Sequence, residues 1–158
     1  MLSKFTGIWT TRLVYWLIAW KIFLNSPFLG SGPHTYSTLY TTYKNKLYLP
    51  KWIEVDERFA PWPHNLYMEI LAEQGIVGLI TLCILIACGL TSAWNICKTS
   101  EHTEIGNFGK SIFISLILFT ISAVFELSFL RHWVVIMLFS ILGIIMALSS
   151  NLKDQRRL

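Results

Sequence analysis

Residues 76–96 read IVGLITLCILIACGLTSAWNI, from Ile76 to Ile96, and hold no charged side chain. Crossing the hydrocarbon core of a bilayer takes about 20 apolar residues in a helix. The stretch therefore predicts a transmembrane helix, and with it an all-α membrane protein. Two later stretches extend the pattern. Ser111 to Leu130 is apolar with Glu126 near its end, and Trp133 to Leu148 is shorter but extendable into Ser149 and Ser150. Only Arg131 and His132 separate them, which predicts a tight helical hairpin. An ionisable group inside a span is a functional candidate by default. Glu126, however, lies close enough to the span end to reach water or Arg131 and reads as structural.

Composition points the same way. The chain is 54% hydrophobic, its mean hydropathy is +0.53, and 14% of its residues are charged, against about 25% in a soluble domain. Seven Trp suit the aromatic belts of a membrane interface. The net charge of +4 comes with no basic run, so no nucleic-acid partner is expected. Cys83, Cys88 and Cys97 share one apolar helix without metal-ligand spacing and read as small core hydrophobes.

Upstream, Leu13 to Trp20 is apolar but too short to span, and Arg12 and Lys21 bracket it. A charge at the centre of a span costs about 2.5 to 3.5 kcal/mol on the insertion scale. Residues 1–25 therefore predict an interfacial amphipathic helix. It begins near Arg12, is capped by Thr10 or Thr11, and stops at Asn25-Ser26-Pro27, because proline disfavours a helical residue before it. Residues 26–75 read as an irregular loop punctuated by Pro27, Gly30, Gly32, Pro33, Pro50, Pro61 and Pro63, with frequent tyrosines. Within it, Asn65 predicts the cap of a short helix from Leu66 to Gln74, and Gly75 marks a break. Residues 76–150 hold the three spans, and 151–158 form a tail.

Basic residues near span ends set orientation. Arg58 and Arg131 lie on the side of His64, whereas Lys98, Lys110, Lys153, Arg156 and Arg157 lie on the other. The second side is expected to be cytoplasmic. The loop then faces outward, into the periplasm of a Gram-negative inner membrane. Seven Lys and Arg precede residue 76 with no span before them. The expectation is a C-terminal portion of a larger polytopic protein, with an N-terminal transmembrane half missing, or a truncated product.

Chemistry concentrates just before the first span, in Pro63-His64-Asn65-Leu66-Tyr67-Met68-Glu69, continuing to Glu73, Gly75 and Gly78. Imidazole exchanges protons near neutral pH, and at a membrane boundary it is placed for reactions in which one reactant is a lipid. Asn65 reads as a cap or a substrate contact. Glu69 and Glu73, four apart on one helix face, would orient His64 or face water. Gly75 and Gly78 would permit close packing. His34, His102 and His132 read as surface or interfacial residues. No Asp-x-Asp motif, phosphate-binding loop or His-Glu-x-x-His site is present, so no metal or nucleotide cofactor is expected.

His64-Asn65, nine residues, then Gly75-Ile76-Val77-Gly78 resembles the signature of the O-antigen ligase and O-antigen polymerase family. Upstream, Arg12-Leu13-Val14-Tyr15-Trp16 followed by Asn25-Ser26-Pro27-Phe28-Leu29-Gly30-Ser31-Gly32-Pro33 is similar to the Arg, Trp and Pro-Leu-x-Gly-x-Gly-Pro elements that open the family's large periplasmic loop. The resemblance implies transfer of an oligosaccharide from undecaprenyl pyrophosphate to an acceptor hydroxyl. The acceptor is the lipid A core for a ligase, a growing glycan for a polymerase, and serine or threonine for a protein O-oligosaccharyltransferase. It further implies His64 as general base and Arg12 as a pyrophosphate ligand. Arg58 is a weaker candidate for the second role, and Glu69, Glu73, Gly75 and Gly78 would support the site. A non-enzymatic reading, an inactive remnant or a small membrane subunit, competes with it. A channel or transporter is disfavoured, because the spans lack lines of charge and paired broken helices.

Overall fold

The computed structural model describes residues 2–48, 62–99, 104–125 and 127–155. Five helices follow one another: α1 (Leu2–Asn25), α2 (Tyr36–Asn45), α3 (Leu66–Thr99), α4 (Glu104–Ser122) and α5 (His132–Gln155), with no strand among the described residues. The all-α expectation holds. Three helices are long and apolar enough to cross a membrane, Leu66–Lys98, Glu104–Ser122 and His132–Leu152, as the sequence foretold.

The faces of these three helices carry the membrane argument further than length does. Only 22%, 28% and 22% of their most apolar stretches are buried. Ile84, Ile114, Leu118, Ile136, Phe139 and Met146 are all exposed. Contiguous apolar surface of this kind is not tolerated in water and is natural when lipid is the solvent. The same reason corrects the reading of the cysteines. Cys97 is buried, but Cys83 and Cys88 are exposed, because an apolar side chain facing lipid needs no protein core around it.

Several boundaries differ from expectation. Helix α1 begins at Leu2 rather than near Arg12, so Thr10 and Thr11 lie inside it rather than capping it. No proline interrupts the first turns, and the helix extends upstream. Helix α4 ends at Ser122, so residues 123–131 replace the two-residue hairpin. The carbonyl of Ala123, just past that end, accepts a 2.8 Å bond from the N–H of Leu66, which commits this connection to the start of α3.

The chain forms two compact units: Met1–Ile80 with Ala123–Leu130, and Thr81–Ser122 with Arg131–Leu158. In the second, Leu116, Val134, Leu138 and Ile145 are almost fully buried. A Cβ on Gly89 would lie 2.7 Å from Leu142 and 2.9 Å from Leu116, and one on Gly109 would lie 2.8 Å from Ile96. Small residues at such points let membrane helices approach closely.

The first unit is built on an aromatic core. Val14, Tyr15, Ile18, Ala19 and Ile22 of α1 pack against Tyr36 and Tyr40 of α2 and Ala72 of α3. The Tyr36 hydroxyl donates to the carbonyl of Tyr15 at 3.1 Å. Burial, with the neighbouring phenols of Tyr40 and Tyr15 adding to it, pushes the Tyr36 hydroxyl well above its ordinary range, so it remains a donor. The opposite face of α1 presents Leu13, Leu17, Trp20 and Leu24, and the turn that follows presents Phe28 and Leu29, all exposed.

Candidate active site

Helix α3 breaks at Gly75, whose φ of 68° and ψ of −164° are not helical. A break of this kind strands carbonyls before it and N–H groups after it. A single loop pairs both sets. The N–H groups of Ser31 and Gly32 donate to the carbonyls of Ala72 and Glu73 at 3.0 and 2.9 Å. The N–H groups of Ile76 and Val77 donate to the carbonyls of Pro27 and Phe28 at 2.9 and 3.3 Å. Ser31 adds its hydroxyl to the Ala72 carbonyl.

Two glycines make this clasp possible. Gly30 and Gly75 have φ of 72° and 68°, a region that disfavours any residue with a Cβ. A Cβ on Gly30 would overlap the backbone of Glu73 and Gln74, and one on Gly75 would overlap the carbonyl of Phe28. The close approach at Gly75 is therefore to a loop, not to a second helix. At Gly78 the nearest atoms belong to Gln74, one turn earlier in the same helix.

Glu73 completes the clasp from its side chain. Its carboxylate accepts from the N–H groups of His34 at 2.9 Å and Tyr36 at 3.0 Å. Thr35, at the N-cap of α2, makes no side-chain cap of its own. A carboxylate 37 residues away in sequence thus satisfies the first turn of α2, where negative charge also complements the helix dipole. Glu69 is equally buried, and its Oε1 accepts from the N–H of Phe129 at 3.0 Å. Neither carboxylate faces water.

His64 stands beside this frame with φ 54°. Non-glycine residues seldom occupy that region, and residues held there cost roughly 1–3 kcal/mol and cluster at functional sites. The surroundings fix it from three directions. The Trp16 indole donates to the carbonyl of Pro63 at 3.1 Å. Asn65 caps α3, its Oδ1 accepting from the N–H of Met68 at 3.1 Å. The imidazole lies between two rings, stacked on Tyr15 at 5.8 Å and tilted against Trp62 at 5.2 Å. It is only half-buried.

Arg12 lies three and four positions before Tyr15 and Trp16 on α1. That spacing sets it on the helix face that holds His64 and Pro63. Arg58, His102 and Glu126 lie outside the described residues. Among the described residues, no three His, Cys, Asp or Glu side chains gather as a metal ion would require.

The sequence marks the Asn65 cap and the Gly75 break, but not Tyr15 and Trp62 as the walls of the imidazole. Their only signal is aromatic character, which every segment of this chain shares. His34, read as a surface residue, does expose its side chain. Its backbone nevertheless sits at φ 60° on the Glu73 carboxylate.

The cap gives a direct prediction. Asn65→Ala is expected to lower stability by about 1 kcal/mol, and Asn65→Asp to retain it. Thermal unfolding of the detergent-solubilised protein checks this. Equal midpoints for Ala and Asp would remove the capping role.

Comparison with known proteins adds one positive finding. A family model described as O-antigen ligase matches residues 3–83, a range that contains both the Arg12–Pro33 and the His64–Gly78 motifs. No curated protein matches the chain, and no solved structure does.

Proposed function

This chain belongs to the O-antigen ligase family, and from that premise we propose that it moves an oligosaccharide from undecaprenyl pyrophosphate to the hydroxyl of an acceptor, the lipid A core. The family supports a glycosyltransferase-like role in a membrane. Donor, acceptor and the assignment of residues are our reading. We place the His64 loop in the periplasm of the inner membrane.

In this mechanism His64 takes the proton of the acceptor hydroxyl as its oxygen attacks the anomeric carbon. The bond from that carbon to the pyrophosphate oxygen breaks, and the negative charge leaves with the pyrophosphate. General-base help of this kind is worth about 10²- to 10⁴-fold. Arg12 offers the leaving group a planar guanidinium that pairs with phosphate oxygens two at a time. Arg58 is assigned a secondary part in the same task. Asn65, Glu69, Glu73, Gly75 and Gly78 support the site by holding its backbone. The exposed Leu13, Leu17, Trp20 and Leu24 face of α1, with Phe28 and Leu29, rests in the membrane interface beside the polyprenyl chain of the donor.

The observation that carries the proposal is the strained His64, half-open to solvent between Tyr15 and Trp62. The test is deletion of the gene in its host, followed by gel analysis of lipopolysaccharide. Loss of all O-antigen from lipid A supports the ligase. Chains carrying a single repeat would identify a polymerase instead. Unchanged lipopolysaccharide would favour a protein O-oligosaccharyltransferase or a non-catalytic membrane subunit.

A further inference from the structure

The second compact unit contains a cavity that the transfer reaction does not use. It is an open groove of about 450 Å³, lined by Trp94, Cys97 and Lys98 of α3 and by Lys110, Phe113 and Ile114 of α4. The walls are aromatic and aliphatic. The Trp94 and Phe113 rings lie 5.5 Å apart, Cys97 is buried, and Trp94 and Ile114 are exposed. Two lysines complete the lining, and Lys98 Nζ sits 5.3 Å over the Trp94 ring.

We propose that this cavity binds one anionic phospholipid, its phosphate between Lys98 and Lys110 and the upper part of an acyl chain against Trp94, Phe113 and Ile114. Three observations select that occupant. Lysine binds phosphate as a compact point charge, and two lysines on the lining match one phosphate headgroup. A free phosphate would leave the apolar wall of a cavity this large unfilled, whereas a lipid covers it. Lys98 also closes a helix long and apolar enough to cross a membrane, and Lys110 lies in the second turn of another, near the depth of lipid headgroups. Basic pockets between transmembrane helices are recognised sites for such lipids, and each lysine near an anionic surface contributes about fivefold in affinity.

The test is native mass spectrometry of the full chain released from detergent, with phosphatidylglycerol, phosphatidylcholine or inorganic phosphate added. Wild type is expected to retain one phosphatidylglycerol in preference to phosphatidylcholine. Lys98→Gln and Lys110→Gln should each weaken that retention about fivefold, and Lys98→Arg should preserve it. Ile114→Trp, which fills the cavity and leaves both charges in place, should also displace the lipid. Equal retention by wild type and the Lys98→Gln/Lys110→Gln pair would overturn the site. So would loss in the lysine variants without loss in Ile114→Trp, which would mark general surface charge. Inorganic phosphate that binds with the same lysine dependence, and competes with phosphatidylglycerol, would overturn the lipid in favour of a free anion.

Discussion

His64→Asn is expected to lose about 10²- to 10⁴-fold in transfer rate, the range that general-base help supplies, while remaining folded in the membrane. Asparagine is the informative replacement. It tolerates the left-handed conformation that His64 occupies at φ 54° better than alanine does. The backbone strain is thus held nearly constant while the base is removed. His64→Ala should lose the same activity and also some stability. The measurement is consumption of a lipid-linked oligosaccharide by membranes that carry equal amounts of each variant. Because the imidazole is stacked on the ring of Tyr15, and phenylalanine keeps that ring, Tyr15→Phe should leave the rate nearly intact. Full activity in His64→Asn at normal abundance would remove the imidazole from the chemistry.

The second large effect concerns the clasp. Gly75→Ala is expected to cost several kcal/mol. Alanine held at φ 68° and ψ −164°, a region essentially confined to glycine, costs roughly 1–3 kcal/mol. The overlap of its Cβ with the Phe28 carbonyl must also displace the loop and loosen four backbone hydrogen bonds, each worth about 1 kcal/mol. Against a typical margin of 5–15 kcal/mol, that should appear as a sharply lowered unfolding temperature in detergent. Gly30→Ala breaks the same contact from the other side. The double variant should therefore cost little more than the worse single one, since contacting sites are not additive. Strict additivity would show that the two glycines serve separate purposes.

Much of this was legible in the sequence, because it rests on local physics. The absence of charge over 76–96 gave the first span, and Asn65 before an apolar run gave the cap, since both signals lie within a turn or two of the feature. The match to the family over residues 3–83 covers the two motifs read directly from the residues. Helix α2 was not legible. Its sequence, YSTLYTTYKN, is rich in threonine and tyrosine, which are modest helix formers. Its first turn is held by Glu73, far along the chain. The role of Glu73 was hidden for the same reason: no spacing rule connects a carboxylate to a helix end 37 residues earlier. No spacing rule joins the segment of Arg12 to that of His64, and it is the bond from the Trp16 indole to the Pro63 carbonyl that ties the two segments together.

The clasp also bears on how the chain is made. Ser31 and its partner Ala72 are 41 residues apart, and the last N–H of the clasp belongs to Val77. Until that residue has left the ribosome, α1 and α2 can pack on one another but have no complete α3 to fasten onto. Nascent protein of this design therefore passes through an interval in which the first turn of α2 lacks the carboxylate that holds it in the finished fold, an interval that ends only once Glu73 and the loop's other partners have been made.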